Sequence, residues 1–264
     1  MRYGRWICVS LVSCFSSLLL AQAVQPLVDS SKLGSSNPPP LAAPSVSEGL
    51  TPEKRADILM ARKMYREAAE VYKQAPLDSA VIWNKIGIAY HQMMQFDVAK
   101  KYYEHAARLD PNYPEAINNL GTIYYTRKSY RHAVKLYKRA LKYSPQSASV
   151  YSNLGTAYFA RKQYKLAAEN YQQALALDAD VFEHRNSWGV LLQERSVEER
   201  AKFHYYLAKT YAKAGMNDRA LQYIRKALEE GFTERKKLME DPEFVSIRKM
   251  PEFQELLAME PRVL

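Results

Sequence analysis

The sequence predicts an all-α solenoid of stacked antiparallel helix pairs, closed by a helical cap at its C-terminal end. Three observations predict it. The heptapeptide NLGTIYY at Asn119–Tyr125 returns as NLGTAYF at Asn153–Phe159, 34 residues further on. Around both copies, apolar residues recur at spacings of 3, 4 and 7, the period of one helix face. Glycine is scarce, 9 in 264 residues, while 47% of the chain is apolar, which favours long helices over sheets and tight turns.

Blocks of 34 begin at Ala80, Pro114 and Ala148. Position four holds Trp83, Ile117 and Tyr151; position seven Ile86, Leu120 and Leu154; position eight Gly87, Gly121 and Gly155; position eleven Tyr90, Tyr124 and Tyr158. The second half of each block places Ala99, Ala133 and Ala167 at position twenty, Tyr103, Tyr137 and Tyr171 at twenty-four, and Ala106, Ala140 and Ala174 at twenty-seven. Small residues let two helix axes approach, and large ones fill the space beside them at roughly 1.5–3 kcal/mol per buried side chain. Pro111 and Pro145, near the block ends, stop the second helix and turn the chain. One pair cannot cover its own apolar face, so pairs must stack.

At nearly every signature position these three blocks resemble the tetratricopeptide repeat (TPR). The resemblance implies a right-handed superhelix of antiparallel helix pairs whose first helices line a concave groove. The array is expected over residues 51–231, with repeats near 51–79, 80–113, 114–147, 148–181 and 201–231 and an insertion at 182–200. Thr51-Pro52 and Ser196-Val-Glu-Glu199 are helix-start signals, and Gly231 is a stop signal. Trp188, Gly189 and Leu192 allow the insertion to be either a half-repeat helix or a packed loop. Residues 232–264 are expected to be capping helices opened at Pro242 and Pro251.

Residues 1–23 read as a signal peptide: Arg2 and Arg5, an apolar run from Trp6, and Ala21-Gln22-Ala23 as a small-x-small cleavage site. Two rivals stay open, a lipoprotein signal with Cys14 as the lipidated residue and an uncleaved anchor over Trp6–Val24. Cleavage removes both cysteines, Cys8 and Cys14, so no disulfide would hold the mature fold. Residues 24–50, with five prolines and six serines, read as a disordered linker. The expected localisation is outside the cytoplasm, periplasmic or secreted.

In the family's geometry, positions two, five, six, nine, twelve and thirteen face the groove. This implies a peptide-binding groove containing Asn84, Lys85, Asn118, Asn119, Thr122, Tyr125, Ser152, Asn153, Thr156 and Phe159. Asparagine side chains pair in both directions with an extended backbone. Asn119 and Asn153 stand at position six, where the similar superhelix of O-linked N-acetylglucosamine transferase grips peptide backbone; Lys85 and Tyr206 break the run. The carboxylate clamp of chaperone cofactors matches at one position and is rejected.

No pair of the five histidines has metal-ligand spacing, and neither a phosphate-binding loop nor a nucleophile elbow appears. The sequence therefore predicts no enzyme, no cofactor, no metal and no small-molecule substrate. The formal charge is +10, concentrated at Lys128, Arg131, Lys135, Lys138, Arg139 and Lys142. That cluster suits an anionic surface, whether a membrane or a larger complex; nucleic acid is disfavoured by the export signal. The function expected is a protein–protein interaction module that holds an extended peptide or protein partner, as an adaptor in envelope assembly. The alternative is a scaffold docking through its basic convex face, with membrane contact through that face or the N-terminal anchor.

Overall fold

In the computed structural model, residues 49–183 and 196–258 are described. The signal peptide, most of the linker and the greater part of the insertion lie outside the described residues, including the Trp188 segment. Five helix pairs follow one another. They are α1 (Pro52–Ala61) with α2 (Tyr65–Tyr72), α3 (Ala80–Gln92) with α4 (Phe96–Leu109), α5 (Pro114–Thr126) with α6 (Tyr130–Tyr143), α7 (Ala148–Ala160) with α8 (Tyr164–Leu177), and α9 (Val197–Lys213) with α10 (Asn217–Glu229). Then come α11 (Arg235–Glu240), a 3₁₀ turn at Pro242–Phe244 and α12 (Pro251–Ala258). The paired helices pack chiefly on their chain neighbours, as a solenoid requires, and α12 folds back on α10.

The helix starts have local causes. Thr51 accepts a hydrogen bond from the Lys54 amide, Ser147 from that of Val150 and Ser196 from that of Glu199. Pro52 and Pro114 occupy first-turn positions where a missing N–H costs nothing. Within each pair the first helix ends in a left-handed residue whose neighbours bond back into the last turn. The αL position falls to Lys63, Met94, Lys128 and Lys162, and to glycine only at Gly215 in the fifth pair. At Lys128, for example, the following Ser129 amide donates to the Tyr124 carbonyl at 2.8 Å. Gly231, at φ +85°, ends α10 in the same way, with the Phe232 amide on the Ala227 carbonyl.

Packing explains the 34-residue period. Ala68, Ala99, Ala133, Ala167 and Ala220 have no exposed surface, and neither have Ala106, Ala140, Ala174 and Ala227. Gly87, Gly121 and Gly155 each lie under a tyrosine ring of the second helix, respectively Tyr103, Tyr137 and Tyr171. In the fifth pair Ala208 takes the glycine position and the smaller Ile224 the tyrosine position, both fully buried. The end of the stack is closed by Leu238, Phe244, Ile247 and Phe253, all without exposure, and by Leu256.

Candidate functional site

The first helices of the three central pairs bring four asparagines into one hydrogen-bonded row. The Asn153 side chain donates from Nδ2 to Asn118 Oδ1 at 3.0 Å, and Asn118 donates to Asn119 Oδ1 at 3.4 Å. Asn119 in turn donates to Asn84 Oδ1 at 2.9 Å. The row thus crosses from α7 through α5 to α3. Asn84 and Asn153 are buried, while Asn118 and Asn119 are half-exposed. Each carboxamide has two N–H donors, and each donor residue spends one within the row. Asn118 and Asn119 therefore keep donor and acceptor capacity for something outside the chain.

That capacity faces an open cavity of about 470 Å³. All four asparagines line it, with Ile88, Pro114, Glu115, Val150 and Val181, the loop serines Ser144 and Ser147, Ser149 and Asp178. Its charged lining is acidic, Glu115 and Asp178, in a chain of formal charge +10. The lining thus joins carboxamides, aliphatic side chains and two carboxylates.

The other expected groove residues lie elsewhere, and the reasons are physical. Tyr125 and Phe159 are buried, not groove pockets. Phe159 packs edge-on against Phe203 and Tyr206 of the next pair's first helix and against Tyr164; Tyr125 lies on Tyr130. Thr122 and Thr156 serve the fold: each hydroxyl bonds the carbonyl four residues back, and they accept from the hydroxyls of Tyr137 and Tyr171. Ser152 is wholly buried within α7. Lys85 does not stand free in the groove, because its ammonium is held by Glu53 at 2.8 Å and by Asp57 at 2.8 and 2.9 Å. Burial works against that cation, but the two carboxylates win and its pKa is raised.

Sequence reasoning passed over the pairing of positions nine and twenty-four. The tyrosine hydroxyl at twenty-four finds Asp57 in the first pair and a threonine in the third and fourth. In the second pair position nine is Ile88, and the Tyr103 hydroxyl lies 3.3 Å from His91 Nδ1 instead. The signal was legible, since the only block with an apolar ninth residue also carries a histidine at position twelve. Burial raises the Tyr103 and Tyr137 phenols well above the ordinary range and lowers His91, so all three are neutral. Among the described residues no three His, Cys, Asp or Glu side chains are grouped to hold a metal ion. Among them, too, no helix is long and apolar enough to cross a membrane.

Fold and row together define a helical-repeat solenoid whose first helices border a polar cavity. The family models agree: those described as tetratricopeptide repeat match residues 80–113 and 148–180, and one described as TPR repeat matches 121–160. Over residues 80–113 and 121–180 the chain carries tetratricopeptide repeats. Among solved structures, PilF of Pseudomonas aeruginosa is similar at 18% identity and a TM-score of 0.52, over 78% of this chain and 86% of that one. MamA of Desulfovibrio magneticus RS-1 matches at 20% identity and a TM-score of 0.47, over 70% and 94%. The Sgt2 TPR domain of Aspergillus fumigatus matches at 23% and 0.41, over 43% and 79%. The likeness to PilF is one of fold. No curated protein matches the chain.

Proposed function

We propose that this protein–protein interaction module holds an extended segment of a partner protein in the groove of α3, α5 and α7, outside the cytoplasm, as an adaptor in envelope assembly. The observation that carries the groove reading is the asparagine row: two half-exposed carboxamides, already oriented by their neighbours, border an open cavity of about 470 Å³. Pre-orientation matters because a side chain fixed before binding loses less entropy when the partner arrives. Each backbone bond made by the row contributes about 0.5–1.5 kcal/mol net, so affinity has to come from several bonds together with contact on Ile88, Val150 and Val181.

Selection of a displayed library of unstructured peptides tests this reading. Peptides retained by the parent chain are expected to lose affinity at least tenfold on the Asn118→Ala/Asn119→Ala variant, with the helical spectrum preserved. Retention unchanged by that variant overturns it. The export part rests on the Arg2, Arg5 and Ala21-Gln22-Ala23 pattern. The N-terminal mass of the chain recovered from the producing cell tests it: a start at Val24 supports cleavage, a lipid adduct at Cys14 supports the lipoprotein, and an intact Met1 in the cytoplasm contradicts export.

A further inference from the structure

One face of α6 carries Arg131, Lys135, Lys138 and Lys142, at steps of four, three and four residues, so the four side chains align along about 17 Å of helix. All four are exposed. None pairs with a carboxylate among the described residues; Lys138 lies 5.8 Å from the centre of the Tyr158 ring. The helix holds no Asp or Glu at all. Its counterparts differ: α4 balances three cations against Asp97 and Glu104, and α8 balances Lys165 against Glu169. In α4 Lys100 pairs with Glu104 at 2.5 Å, while Asp97 pairs with Arg127 at the end of α5.

The three second helices meet the same packing demand, so the fold does not explain this difference. Like charges at i and i+4 destabilise a helix, as at Arg131 with Lys135 and Lys138 with Lys142. A cation in the first turn, Arg131, also opposes the helix dipole. The stripe thus works against the helix that carries it.

We propose that this outer face of α6 docks on an anionic phospholipid surface. Three of the four residues are lysines, whose compact charges on long stems suit lipid headgroups, and the ring beside the stripe, Tyr158, is buried and offers no open face for a nucleic-acid base to stack on. The apolar run Trp6–Val24 is of the kind that brings a chain to a membrane. The inference is independent of the groove, since it uses the opposite helices of each pair.

Co-sedimentation of the full chain with vesicles tests it, using phosphatidylcholine alone and phosphatidylcholine with phosphatidylglycerol. The reading is the excess on anionic over neutral vesicles, which leaves out binding common to both. Lys135→Gln/Lys138→Gln is expected to lower that excess about thirtyfold, with neutral-vesicle binding unchanged and a thermal midpoint equal to or above the parent's. The control Lys165→Gln/Lys249→Gln removes the same net charge and is expected to change the excess less than about threefold, because those cations lie off the stripe. Equal losses in both variants, no loss in the first, no anionic excess in the parent, or stronger binding of the parent to a duplex oligonucleotide than to the vesicles would each overturn the proposal.

Discussion

The Tyr137 ring occupies the space a side chain on Gly121 would need: a Cβ there would lie 2.7 Å from Tyr137 Cε1. The ring cannot easily withdraw, being fully buried with its hydroxyl on Thr122. Gly121→Ala is therefore expected to destabilise the fold by about 1–3 kcal/mol through overpacking. Gly155→Ala is expected to cost more, since the Ala167 carbonyl stands 3.1 Å away as a second, stiffer obstacle. Urea midpoints of the two variants check both values. The first pair shows the alternative solution, with Ala56 tolerated beside a Tyr72 whose hydroxyl is drawn to Asp57.

Lys128, at φ +59°, sits in a left-handed turn that glycine normally fills. Lys128→Gly and Met94→Gly are each expected to stabilise by about 0.5–1 kcal/mol, relief of the Cβ clash exceeding the added freedom of the unfolded chain. Gly215→Ala, at φ +76°, is expected to move the other way by a similar amount. Thermal melts of the three variants check the signs.

Removing Asn119 leaves the Asn84 carbonyl oxygen buried without its donor. Asn119→Ala is expected to cost about 1–3 kcal/mol of stability, and Asn84→Ala/Asn119→Ala less than the sum of the single changes. A double-mutant cycle in urea measures the coupling. Strict additivity would mean that the row contributes nothing to the fold.

Acid should weaken the protein through its buried histidines. Burial lowers the pKa of His91; burial also lowers that of His204, though nearby Glu230 pulls it upward. Both therefore take up protons more readily in the unfolded chain, whose value is about 6.5. Their contribution is present above that pH and is lost as pH falls below it. Denaturation at pH 7.5 and 5.5 checks this, with a shallower pH slope expected for His91→Gln than for the parent.

Much of the architecture was legible because its causes are steric and recur. Glycine under tyrosine, and alanine at each helix crossing, leave the same mark every 34 residues. The inner surface was legible only in part. Asn84, Asn118, Asn119 and Asn153 do line one cavity. Tyr125 and Phe159 do not, because what covers position twelve comes from outside its own helix: for Phe159, Phe203 and Tyr206 lie 44 and 47 residues away. Lys85 was misplaced for a similar reason, since its partners Glu53 and Asp57 belong to the first pair, where the repeat pattern is weak. The left-handed turns of the first four pairs left no mark, as lysine and methionine stand where glycine would have announced them.

The central claim is that Asn118 and Asn119 meet a partner's backbone. Selective nitrogen labelling of asparagine, with a selected peptide titrated into the labelled chain, tests it most directly. The account predicts that the side-chain amide resonances of Asn118 and Asn119 shift in proportion to occupancy, with Asn153 following through its bond to Asn118. Saturation of the peptide site with those resonances unmoved would contradict it.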